Sequence, residues 1–154
     1  MLYFCFVNIK TMIDLKITEA TKGSRPNISL PHPGILEFLK EEGVRKLVSD
    51  HYDKLRTSRI KHLFPAEEVM FEAAKNNSAD FFVQILGGPN YYNQNRGNPM
   101  LVRRHNPFSI NAEARKIWLG FYQELLPELG LPDELLLSYW NYLEQFSIWM
   151  INSD

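Results

Sequence analysis

The chain has 154 residues, 45% hydrophobic and 13% aromatic, which fits one domain and leaves aromatic surface for a pocket as well as a core. A net charge of −1 offers no electrostatic case for nucleic acid or an acidic membrane surface as a partner. The lone Cys5 excludes an intramolecular disulfide and a cysteine-built zinc site, and fits a reducing cytoplasm.

The first seven residues, MLYFCFV, are apolar but too few to span a bilayer, and they lack the basic start and small-residue cleavage site of a secretory signal. Met12 offers a second start. Residues 1–33 carry no sustained period. Pro26, Pro31 and Pro33 mark an extended arm, with a short strand expected near Leu15–Thr18. The chain is therefore divided into an N-terminal extension, 1–33, and a helical domain, 34–154.

From Gly34 to about Thr57 the spacing of Val44, Leu47, Val48, His51, Tyr52 and Leu55 predicts a helix, with Gly43 as the expected bend or break. After Phe64-Pro65 a second helix is expected from about Ala66 to Leu86. Its stripe runs through Met70, Ala74, Ser78, Phe81, Phe82 and Ile85 and ends at Gly87-Gly88-Pro89. The stretch from Gly87 to Phe108 is irregular and unusually long for a compact domain, which marks it as functional or disordered. Within it, Asn98-Pro99 reads as a cap opening a short helix to His105. Two further helices follow, from about Asn111 to Leu126 and from about Pro132 to Ile151. Their stripes are Ala114, Ile117, Trp118, Phe121, Tyr122, Leu125 and Leu136, Tyr139, Trp140, Leu143, Met150.

His105 is the leading candidate for chemistry. His32, His51 and His62 do not pair with it at two-histidine metal spacing, and no HExxH occurs, which argues against a zinc enzyme. A haem iron needs only one protein ligand, so that reading survives; the bland one is a surface or capping histidine. Of Arg103 and Arg104, only one can readily face a ligand carboxylate, and both fit solvated charges equally well. Tyr92 could add a hydroxyl. Tyr52, Trp118 and Ser78 lie on apolar faces, either as core residues satisfied locally or as polar groups aimed into a pocket. His51 is expected at the helix surface.

The order of these residues resembles the group II truncated haemoglobins, which are two-over-two globins. The resemblance spans about Leu36 to Ile151. It is carried by Gly87-Gly88-Pro89, Tyr92, Gly97, Pro99-Met100-Leu101, Arg104-His105, Pro107-Phe108, Ile110 and Trp118, with Phe64-Pro65 and Tyr52 upstream. It implies an all-α, globin-like two-over-two helical sandwich enclosing haem b, to which this chain adds its extended N-terminal arm. His105 would be the proximal iron ligand and Phe64 the residue wedged against the ring. Arg104, assisted by Tyr92, would pair with a propionate. Tyr52 and Trp118 would be distal hydrogen-bond donors, with Ala74 and Ser78 on the distal helix.

The implied ligands are dioxygen, nitric oxide and carbon monoxide at a pentacoordinate iron, with a reductase as partner. Nitric oxide dioxygenation or peroxide reduction is expected rather than bulk oxygen transport, and gas sensing is the alternative. The expected setting is the cytoplasm, without nucleic acid or membrane. The arm has no clear counterpart in the shortest members. The span from Phe64 to Gly87 is longer than in some, and Ser78 is small.

Overall fold

The computed structural model describes residues 13–154; Cys5, the MLYFCFV segment and Met12 lie outside the described residues. Six α-helices follow in order: α1 Gly34–Leu55, α2 Glu68–Ile85, α3 Tyr91–Arg96, α4 Leu101–His105, α5 Ala112–Leu125 and α6 Asp133–Trp149. Short 3-10 turns stand at Lys61–Leu63 and Leu126–Leu129. The described residues contain no strand, and no helix among them is long and apolar enough to cross a membrane. The α1–α2 pair packs on the α5–α6 pair, principally through α1 on α5, as a two-over-two sandwich. Val44, Leu47, Phe82, Leu119, Tyr139 and Leu143 are buried in the core between them.

α1 is two helices joined at a kink, and the break is at Lys40 rather than Gly43. Lys40 adopts φ 62°, ψ 169°, a region that is costly for a residue with a side chain. Gly43 stays helical, and its role is room: a Cβ there would stand 3.0 Å from that of Leu39.

α2 begins at Glu68, so Met70 lies in its first turn and is exposed, not part of the buried stripe. Phe71 is buried instead, with the Arg56 guanidinium 3.9 Å above its ring. α4 starts two residues later than Asn98-Pro99 predicts, behind Met100 in a left-handed conformation. The reason is local. Arg104 donates from Nε to the Pro99 carbonyl at 2.7 Å and from one Nη to the carbonyls of Arg96 and Asn98, folding the preceding loop around its own guanidinium. The irregular stretch also contains α3, whose polar sequence YYNQNR shows no period. Gln84 of α2 holds it by a paired set of bonds with Asn93.

The arm lies across α5 and α6. The strand expected near Leu15–Thr18 is absent because side chains, not a neighbouring strand, satisfy that backbone. Gln123 donates to the Leu15 carbonyl, Trp140 to that of Lys16 and Arg115 to that of Thr18, while Glu144 accepts from the Thr18 N–H and hydroxyl. Further along, Trp149 donates to the Pro26 carbonyl. Leu15 itself is part of the core.

Candidate functional site

A cavity of about 340 Å³ lies between the helix pairs. Its wall is mostly apolar, and all eight residues nominated from the sequence line it: Tyr52 from α1, Phe64 from the following loop, Ala74 and Ser78 from α2, Tyr92 from α3, Arg104 and His105 from α4, and Trp118 from α5. Arg103, the other half of the basic pair, is exposed and takes no part.

His105 is half-buried, and its Nδ1 lies 2.7 Å from the Leu101 carbonyl oxygen one turn back. A carbonyl only accepts, so Nδ1 carries the proton and Nε2 keeps its lone pair. Burial pushes the imidazole pKa below its ordinary value and so favours the neutral ring, with that hydrogen bond opposing in part. A neutral imidazole with its outer nitrogen tied to a carbonyl is oriented to bind metal. Among the described residues no three His, Cys, Asp or Glu side chains cluster as a metal site, so a metal held by His105 must bring its other ligands with it.

Arg104 and Arg96 supply positive charge on the same side of the cavity wall. The Arg104 guanidinium lies 5.6 Å from the ring centre of buried Tyr92. Its remaining Nη makes no hydrogen bond among the described residues and is free to meet an acid. One neutral imidazole, an apolar slot and guanidinium groups at its wall together fit haem: a flat apolar ring, a metal wanting an axial ligand, and acidic side arms.

Polar groups also reach the cavity from α1, α2 and α5. Tyr52 meets Phe64 and Phe71 edge-on, at 5.5 and 5.8 Å. Burial raises its pKa, with the Ser78 hydroxyl opposing, so the phenol stays a donor. The three tryptophans differ. Trp140 and Trp149 donate their indole N–H to arm carbonyls, whereas the indole N–H of Trp118, the one lining the cavity, has no partner among the described residues.

His51, Tyr122 and Arg115 also line the cavity, and the sequence reading gave none of them a role there. His51, expected at the surface, is 1% exposed. Its Nε2 donates to the Trp118 carbonyl at 2.9 Å, and its ring stacks on that of Tyr122 at 3.8 Å. Desolvation pushes its pKa down to about 3 against that hydrogen bond. Burial also raises the Tyr122 hydroxyl well above its usual value. Arg115 is buried, and it bonds the Ser147 hydroxyl, the Thr18 carbonyl, and both the carbonyl and carboxylate of Glu144. Tyr122 lies on the stripe read from the sequence, as a core residue. No periodicity signals a buried arginine whose partners stand on an arm and another helix.

The crossed helix pairs and the cavity between them, with the His105 imidazole on its wall, define a two-over-two, haem-binding globin. The chain belongs to the bacterial-like globin family, whose model matches residues 39–152, and its relatives place it with the group II truncated haemoglobins. It is similar to group 2 truncated hemoglobin YjbI of Bacillus subtilis (strain 168), with 32% identity over 117 residues covering 75% of this chain and 86% of that one. Among solved structures, phosphate-bound Hell's gate globin IV is 37% identical at a TM-score of 0.79, covering 89% of this chain and 86% of its own. The truncated oxygen-avid haemoglobin from Bacillus subtilis is 30% identical at a TM-score of 0.70, covering 76% and 98% respectively. Members of this family bind haem and, through it, small ligands such as oxygen.

Proposed function

We propose that the chain holds haem b through His105 Nε2 and retains dioxygen and related diatomic ligands for oxygen, nitric oxide or peroxide chemistry, rather than carrying oxygen in bulk. When bound, ferrous haem would supply the iron chemistry that takes dioxygen, nitric oxide or carbon monoxide. The protein supplies the rest. Arg104 and Tyr92 meet the acidic edge, Phe64 packs against the ring, and Ala74 and Ser78 leave space on the α2 side. Tyr52 and Trp118 present their O–H and N–H to the ligand. One relative, the Bacillus subtilis protein, is named as oxygen-avid, which supports the same reading.

The observation that carries it is that the Tyr52 phenol and Trp118, whose indole N–H has no partner among the described residues, both line the cavity. A hydrogen bond to a charged acceptor contributes about 1.5–3 kcal/mol, so each donor slows ligand escape by about tenfold or more. Slow release suits chemistry better than delivery. Such chemistry needs a reductase to restore the ferrous state, and the sparing use of cysteine fits a cytoplasmic setting.

Stopped-flow dioxygen release tests this. Tyr52→Phe and Trp118→Phe should each release about tenfold faster or more than the wild type. Unchanged release in both contradicts the donor role.

A second reading, gas sensing, is favoured by one feature: Arg115 walls the cavity and is bonded to the arm at Thr18. Hydrogen exchange at Leu15–Thr18 that changes between the ferric and carbon monoxide forms would support it; identical exchange would remove it.

A further inference from the structure

His51 is held more tightly than packing alone requires. It sits on α1 between two side chains of α5 that lie one turn apart. Its ring stacks on Tyr122 with centroids 3.8 Å apart and planes at 21°, and it meets the Trp118 indole edge-on at 5.1 Å and 88°. The rings of Trp118 and Tyr122 touch each other at 4.9 Å. Phe121 closes the group at 6.4 Å. This cage is aromatic throughout, so a phenyl ring would fill it without the cost of desolvating two ring nitrogens. What the imidazole adds is one directed N–H, from Nε2 to the Trp118 carbonyl. A single residue therefore grips Trp118 twice, by its backbone carbonyl and by the perpendicular contact of the two rings.

Trp118 needs that grip. It is only partly buried, and its indole N–H has no partner among the described residues to fix the ring's orientation. Trp140 and Trp149 are each anchored by their own N–H, a constraint that Trp118 lacks. The ring that lines the cavity with an unpartnered N–H is held by His51 rather than by a bond of its own.

We infer that His51 is a positioning residue that fixes the Trp118 indole, and so favours ligands that accept a hydrogen bond strongly over those that accept one weakly. Dioxygen in a ferrous haem pocket belongs to the first class and carbon monoxide to the second. The inference rests on Trp118 being a donor, as proposed above.

The test uses haem-loaded wild type, Trp118→Phe, His51→Phe, His51→Gln and the double variant H51F/W118F. Dioxygen release, carbon monoxide release and the C–O stretching frequency of the carbon monoxide form are measured in each. His51→Phe keeps the ring packing and loses the N–H; the Gln amide nitrogen reaches about as far as imidazole Nε2. His51→Phe should speed dioxygen release about tenfold, as Trp118→Phe does, with carbon monoxide release changing by no more than about twofold. The double variant should release no faster than Trp118→Phe alone, because the two residues act through one donor. The C–O stretch should rise in Trp118→Phe and His51→Phe, and His51→Gln should return both readouts toward wild type.

Three results would overturn the inference. One is wild-type release and stretch in His51→Phe while Trp118→Phe changes. Another is an equal acceleration of dioxygen and carbon monoxide, which marks general loosening. The last is a multiplicative double variant. If Trp118→Phe itself alters neither readout, the donor reading falls and takes this inference with it, a pattern distinct from the other three.

Discussion

Burial holds His51 neutral in the folded chain, which makes its effect on stability depend on pH. Its pKa is pushed from 6.5 to about 3 by desolvation. Below about pH 6.5 the unfolded chain binds a proton that the folded one refuses, so stability is full above that value and falls as pH drops toward 3. The slope approaches about 1.4 kcal/mol per pH unit for one proton. His105 is shifted the same way, also by burial, and adds to the loss. Denaturant unfolding of wild type and His51→Phe isolates the His51 part, because His105 is common to both. Between about pH 7.5 and 5 the wild type should lose about 2 kcal/mol more than the variant; parallel losses would contradict the burial of a neutral ring. The sequence placed His51 on the apolar face of α1, beside Val48 and Leu55. It did not show that the carbonyl of Trp118, 67 residues away, would meet the ring. A lone histidine on a helix is read as a surface residue until such a partner is known.

At the scale of elements, the arm is bound to α5 and α6 by the Arg115–Glu144 pair, whose side chains are 1% and 12% exposed. Burial pushes the Glu144 carboxyl upward, but the bonds from Thr18 and Arg115 outweigh it and hold it below the ordinary carboxylate range. Glu144→Ala would leave a buried guanidinium short of its counter-charge. The expected cost is about 3–5 kcal/mol in unfolding free energy, and the arm should exchange its amide hydrogens faster at Thr18. A loss under about 1 kcal/mol would show that the pair is solvated and the arm loosely held. The long helices were legible because each carries a wide apolar stripe; α5 and α6 begin and end within two residues of expectation. The kink at Lys40, the late start of α4 and the whole of α3 were not legible. They follow from contacts between side chains and backbone, such as Arg104 to Pro99, that leave no hydrophobic period. The arm was expected as an N-terminal extension; that its backbone bonds are spent on α5 and α6 side chains left no trace in the sequence pattern.

At the scale of the molecule, one cavity collects side chains from α1 to α6 and the loops between them. No single helix announces it. The order of the quoted motifs did, because Tyr52, Phe64, Arg104-His105 and Trp118 converge only when the helix pairs cross. Residues that complete the wall from behind, His51, Arg115 and Tyr122, escaped because their roles are set by partners far along the chain. Everything proposed for the cavity depends on the imidazole of His105 acting as an axial ligand. The most direct measurement is a hemin titration of wild type and His105→Gly, followed by Soret and visible absorption, with free imidazole then added to the variant. The account predicts saturable haem binding by the wild type, an altered axial-ligand spectrum in the variant, and return of the wild-type spectrum on adding imidazole. A His105→Gly protein whose haem spectrum matched the wild type without added imidazole would contradict it.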